Sequence, residues 1–117
     1  VSLLIAAHNE ASIIAARIAN ALALDYPADR LEIVIATDGC SDGTADVVRR
    51  FADRGVRLFE YKVRRGKATV LNDSIPRLKG DVVILSDANT LTEPDAARKL
   101  ARWFADARVG VVCGRLI

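Results

Sequence analysis

Four short stretches collect the side chains able to do polar chemistry. They are Ala7-His8-Asn9-Glu10, Thr37-Asp38-Gly39-Cys40, the segment from Lys62 to Lys67, and Ser86-Asp87-Ala88-Asn89. Asp38 precedes a glycine, so it either builds a turn or offers an acceptor that reads the donor edge of a nucleobase. Asp87 ends an apolar run, where a carboxylate either caps the loop or faces a ligand. Its oxygens are of the kind Mg2+ or Mn2+ prefers. Positions 62–67 carry Lys62, Arg64, Arg65 and Lys67. They read as a solvated loop or as a docking surface for a diphosphate, with Lys67 at a helix start adding to the amides and dipole there. His8 either faces solvent or joins the site. Asn9 reads as a helix N-cap, and Glu10 falls in the first helical turn, where a carboxylate is favoured. Acceptors on one side, cations on the other and an aspartate between them suit a nucleoside diphosphate whose phosphates are bridged by a divalent metal. Neither GxGxxG nor GxxxxGK[ST] occurs, which argues against a dinucleotide oxidoreductase or a P-loop enzyme.

These stretches must be positioned by regular elements, and the apolar pattern supplies them. Val1–Ala6 is a continuous apolar run, as in a strand buried on both faces. A helix follows from Asn9 to about Leu24, with Ile13, Ile14, Ala16, Arg17, Ile18, Ala21 and Leu22 on its inner face, and Tyr26-Pro27 stops it. Leu31–Ala36 is a second strand. Ser41 or Asp42 caps a helix through about Ala52 that turns Val47, Val48 and Phe51 inward. Val56–Tyr61 alternates with charge and reads as a strand near an edge. Gly66 leads into a helix over Lys67–Leu78, and Val82–Leu85 is a fourth strand. Glu93-Pro94-Asp95 starts a helix that carries Ala96, Leu100, Trp103 and Phe104 inward. Val109–Gly114 reads as a fifth strand. Alternation of this kind predicts an α/β fold: a Rossmann-like, mainly parallel sheet of about five strands with helices on both faces. In such sheets ligands bind beyond the carboxyl ends of the strands, which is where all four polar stretches fall.

Composition narrows the class. The 117 residues are 51% apolar and 5% aromatic, so one domain with an aliphatic core is expected. Seventeen basic against 15 acidic residues give +2, too little for bulk attraction to nucleic acid. No apolar run approaches the ~18 residues of a membrane span. Cys40 and Cys113 form no CxxC pair and are expected as reduced thiols, Cys113 in the core. Both ends of the chain lie in strand-like runs, so residues 1–117 are expected to be a piece of something longer, with an exposed sheet edge at the fifth strand able to pair with another copy.

AAHNE (6–10), DYP (25–27), LEIVIATDGCSDGT (31–44), GKATVLN (66–72), GDVVILSDAN (80–89) and VGVVCG (109–114) together resemble the family-2 glycosyltransferases of the GT-A fold. The resemblance runs across essentially the whole chain, in order and at the usual spacing. It implies the nucleotide-binding half of that fold and a hexosyltransferase-type activity, of the kind found in bacterial polysaccharide synthesis. A sugar would pass from a nucleotide-sugar donor, a UDP-sugar first among them, to a glycan, lipid or other acceptor. It also implies a place in the cytoplasm or at the cytoplasmic face of a membrane.

Carried over by position, Ala7, His8 and Glu10 match the loop lining the nucleoside, and Asp38 matches the aspartate that contacts the base. Lys67 matches the region beside the nucleotide. Asp87-Ala88-Asn89 matches the DxD motif that handles ribose and the metal-bridged diphosphate, with Asp87 and Asn89 as the metal ligands. Arg64 and Arg65 are assigned to phosphate from charge alone. The first acid of the DDGS-type loop is Thr37 here, and the DxD motif ends in Asn89. Loss of one carboxylate should lower Mg2+ or Mn2+ affinity by about an order of magnitude. The family's catalytic base follows the fifth strand, so it is expected beyond Ile117 and the isolated chain is expected to be inactive. The alternative is a non-catalytic nucleotide-binding or regulatory α/β domain. A receiver-like version would want an acidic pair where His8-Asn9-Glu10 supplies one acid.

Overall fold

The computed structural model describes residues 1–114. Four parallel strands form one sheet: β1 (Ser2–Ala7), β2 (Glu32–Asp38), β3 (Arg57–Tyr61) and β4 (Val83–Asp87), in the order β3-β2-β1-β4. Helices α1 (Ala11–Leu22), α2 (Thr44–Arg49), α3 (Lys67–Ser74) and α4 (Ala96–Ala101) make the crossovers. The chain builds outward from β1 to β3, then returns to place β4 on the other side of β1. The strand order therefore reverses at β1, and a crevice opens there at the carboxyl ends.

The continuous aliphatic runs lie in the two central strands, which are covered on both faces. Leu3, Ile5, Ile33 and Ile35 pack with Ile14 and Ile18 of α1, Val48 of α2 and Ala97 of α4. Leu4, Val34, Ala36 and Phe59 pack with Val70 of α3 on the opposite face. The charged alternation in Arg57–Tyr61 places β3 at an edge, as its pattern predicts. α3 covers β1 to β3 and leaves Leu85 of β4, in register with Leu4, 53% exposed.

Several expectations are corrected. The sheet has four strands among the described residues, not five: Val109–Gly114 carries no strand. Val111 is 83% exposed and Cys113 is exposed rather than in the core. An apolar run becomes a strand only where a ladder edge accepts it, which periodicity alone does not supply. The edge expected at the fifth strand is at β4. Trp103 is 54% exposed and Phe104 half-buried, because α4 gives way to a 3-10 turn at Arg102–Ala105 that rotates them off the core. Ile13 and Ala16 are also on the outside of α1. α3 ends at Ser74, followed by a 3-10 turn over Ile75–Arg77, since Pro76 has no N–H to continue the α ladder. α2 likewise ends at Arg49, short of Ala52.

Asn9 does not cap α1. It adopts φ +49°, a left-handed conformation that asparagine tolerates, and its side-chain oxygen accepts from the Ser41 N–H at 2.8 Å. The open N–H groups at the start of α1 are met instead from the first residue of α2 and the loop before it. Glu10 N–H donates to Thr44 Oγ1 at 2.9 Å, and Ala11 N–H to the Asp42 carboxylate at 3.1 Å. Asp42 also accepts from Thr44 N–H at 3.1 Å, so the loops after β1 and β2 are tied into one unit.

Candidate donor-binding site

An open cleft of about 260 Å³ lies at the carboxyl end of the sheet. Of the residues predicted from sequence, Ala7, His8, Glu10, Asp38, Arg64, Lys67, Asp87 and Asn89 line it. Ala6 and Val70 complete its floor, and pattern reading missed both because each looks like ordinary core. Ala88 and Arg65 do not line it. Ala88 is 3% exposed and its methyl packs into the core beneath the turn. The Arg65 guanidinium pairs with Asp73 and stacks over the Tyr61 ring at 5.2 Å.

Asp38 ends β2 and is 4% exposed. Its carboxylate accepts from the N–H groups of Arg65 at 2.7 Å and Gly66 at 2.9 Å, with Arg64 Nε 3.5 Å away. Arg65 thus serves the site through its backbone. Oδ1, with the Arg65 amide as its one partner, keeps a second lone pair for a ligand donor, while Oδ2 faces both Gly66 and Arg64. The neighbouring Gly39 explains how the β3–α3 loop comes so close. It has φ +59°, and a Cβ there would sit 2.6 Å from Arg64 N and 2.7 Å from Arg64 Cα. The Gly39 N–H donates to the Tyr61 carbonyl at 2.7 Å. On the other side of the cleft wall, His8 Nδ1 donates to the Asp38 carbonyl, which fixes the tautomer and leaves Nε2 without the proton in the neutral ring.

Across the cleft, Asp87 at the end of β4 is half-exposed and pairs with Lys67 from the first turn of α3. Lys67 and Arg64 place two cations opposite the Asp87–Asn89 turn. The donor set fits a hard divalent cation: one carboxylate and one amide oxygen, both exposed on a single turn. No group of three or more His, Cys, Asp or Glu that could hold a metal occurs among the described residues. Phosphate oxygens and water would therefore complete the shell, as is usual for Mg2+. Among the described residues no helix is long and apolar enough to cross a membrane.

Beneath the turn lies a group that sequence reading placed on the inner face of α1 without giving it a role. Arg17 is fully buried, and burial pulls its guanidinium below its ordinary value. Its partners are Ser86 and Asp87 at the end of β4, and Asn20.

The profile of glycosyl transferase family 2 matches residues 2–117. Poly-beta-1,6-N-acetyl-D-glucosamine synthase of Staphylococcus aureus is 34% identical over 116 residues, covering 97% of this chain and 28% of that protein. The Staphylococcus epidermidis synthase is 32% identical over the same share. This chain thus spans little more than a quarter of the length of the curated relatives it matches. Among solved structures, the mannosyltransferase PcManGT from Pyrobaculum calidifontis, in complex with GDP-Man and Mn2+, superposes with a TM-score of 0.87 at 34% identity, over 93% of this chain and 33% of that one. TarS of S. aureus, solved with UDP-GlcNAc, shares the fold at a TM-score of 0.82 and 16% identity, over 92% of this chain and 31% of that one. Fold, motif order and profile agree: the chain belongs to glycosyl transferase family 2.

Proposed function

We propose that residues 1–117 form the donor-binding part of a glycosyltransferase. The protein transfers a sugar from a nucleoside diphosphate sugar, a UDP-sugar first among the candidates, to a glycan, lipid or other acceptor. One observation carries this reading. The cleft at the point of strand reversal brings the Asp38 carboxylate, the cations Arg64 and Lys67 and the Asp87–Asn89 turn together from three different loops. The 34% identity to a polysaccharide synthase and to a mannosyltransferase solved with a nucleotide sugar supports it.

In this reading Asp38 accepts from the base, already held in place by two amides. Ala7, His8 and Glu10 form the wall beside the nucleoside. Ala88 sets the turn through its buried methyl, and Asp87 and Asn89 hold Mg2+ or Mn2+. The metal, when bound, neutralises charge on the leaving diphosphate. Lys67 and Arg64 provide the remaining positive charge; Arg65 supplies an amide and not a phosphate contact. The base that deprotonates the acceptor hydroxyl is assigned to sequence after Ile117, so the isolated chain binds donor without turnover. The protein works in the cytoplasm or at the cytoplasmic face of a membrane.

Titration calorimetry of UDP and GDP, each with and without Mn2+, tests this. Binding that needs Mn2+ and is lost in Asp87→Ala is expected, with UDP the tighter ligand. Tighter GDP binding would reassign the base. No heat at millimolar nucleotide would overturn the reading in favour of a non-catalytic domain.

A further inference from the structure

Arg17 lies in the middle of α1 at 0% exposure, on a face otherwise made of Ile14, Ile18 and Ala21. Its hydrogen-bond partners are all neutral. Nε donates to the Asp87 carbonyl at 3.1 Å, one terminal nitrogen to Ser86 Oγ at 2.8 Å and the other to Asn20 Oδ1 at 2.8 Å. Burial of a guanidinium without a counter-charge is expensive, and an aliphatic residue would suit this face at lower cost. Stability alone therefore does not account for it.

What the guanidinium gains is reach. Its planar fork grips the end of β4 at two successive residues. Asn20 extends the grip: its Oδ1 accepts from Thr92 N–H at 2.9 Å and Thr92 Oγ1 at 3.1 Å, and its Nδ2 donates to the Thr92 carbonyl at 2.9 Å. The two side chains hold both ends of the segment 86–92 from below. Asp87 and Asn89 stand on that segment and line the cleft above. We propose that Arg17 and Asn20 are positioning residues that keep the Asp87–Asn89 turn in its metal- and diphosphate-binding shape. This rests on the donor-site reading above.

Arg17→Met, Arg17→Lys and Asn20→Ala in the full chain test it with two readouts. One is amide hydrogen exchange at residues 86–92 compared with β1 and β2. The other is Mn2+ binding in the presence of UDP, followed by the paramagnetic resonance of free Mn2+. Arg17→Met and Asn20→Ala should speed exchange at Thr92 at least tenfold and leave β1 and β2 protected. Both should weaken Mn2+ binding about tenfold or more, the usual effect of losing a residue that orients metal ligands. Arg17→Lys keeps the charge but not the fork and should recover only part of the loss. Local loosening with wild-type Mn2+ affinity would overturn the inference while the donor-site reading stands. So would faster exchange spread evenly over the sheet, which marks a merely structural role. If Arg17→Met does not fold, Asn20→Ala decides by the same criteria. Failure of the wild type to bind Mn2+ and UDP would remove the donor site and this inference with it.

Discussion

The two ends of the sheet are built from the same parts and do opposite things. Each has a largely buried carboxylate that accepts from backbone N–H, one amide at Glu32 and two at Asp38, and each has a glycine with backbone pressed against it. At the amino end, Glu32 accepts from Ser2 Oγ at 2.8 Å and Lys79 N–H at 2.9 Å and pairs with Arg57. A Cβ on Gly80 would sit 2.7 Å from Ser2 N. At the carboxyl end, Asp38 and Gly39 play the same parts against the loop at Arg64–Gly66. The amino end closes on itself, with strand starts and loops satisfying one another. The carboxyl end stays open, since the strand order reverses at β1 and leaves a crevice between the loops that follow the strands. A buried carboxylate with amide partners is therefore no mark of function by itself. The gap beside it decides.

The largest effects should come from the two glycines. Gly39→Ala forces a side chain into Arg64 at a positive φ, and we expect a loss of about 3 kcal/mol in urea unfolding together with loss of nucleotide binding in the folded fraction. Gly80→Ala should cost about 1–3 kcal/mol through the clash alone and leave nucleotide affinity unchanged. Equal nucleotide affinity in both variants would break the comparison.

The carboxylates come next. Asp38→Ala strands the Arg65 and Gly66 amides, Glu32→Ala the Lys79 amide and the Ser2 hydroxyl, and each should cost about 1–3 kcal/mol. Calorimetry should show weakened nucleotide binding in Asp38→Ala only.

Lys67→Ala separates site from scaffold most cleanly. Its pair with Asp87 is more than half exposed on both sides, so unfolding should move by less than about 1 kcal/mol. UDP affinity should fall about tenfold with the loss of one charge-assisted bond.

The smallest effect concerns pH. Burial pushes the Glu32 carboxyl up. Hydrogen bonds from the Lys79 amide, the Ser2 hydroxyl and Arg57, with the Arg57 charge, more than reverse this and leave it below its ordinary value. A carboxyl held low in the folded state contributes stability that is fully present above the unfolded value of about 4.3, and that is lost as pH falls through the lower folded value. Urea midpoints from pH 6 down to 3 should fall more steeply for wild type than for Glu32→Gln. Parallel curves would show that the amino end draws nothing from its carboxylate charge.

Much of this was legible in the chain itself. The aliphatic runs of β1 and β2 and the turn residues after them follow from local pattern, and so does the charged alternation that puts β3 at an edge. Eight of the ten proposed site residues meet at the cleft because loops after parallel strands share one edge of the sheet. The exceptions have a common cause. Arg65 points to Asp73, Asn9 reaches Ser41 and Val109–Gly114 joins no ladder among the described residues, each decided by which partners the fold brings near and not by local pattern. Arg17 is the clearest case. Periodicity alone puts it on the buried face of α1, but its reason for being there lies about seventy positions along the chain, at Ser86 and Asp87.

By itself, then, the sequence determined the first four strands and the helices between them, their order, the family and the edge where polar residues gather, because these depend on spacing along one chain. Only the tertiary structure decided which of those residues face the cleft and which hold it together. A side chain's direction and partners are set by the strand order and by atoms that folding brings within hydrogen-bond reach.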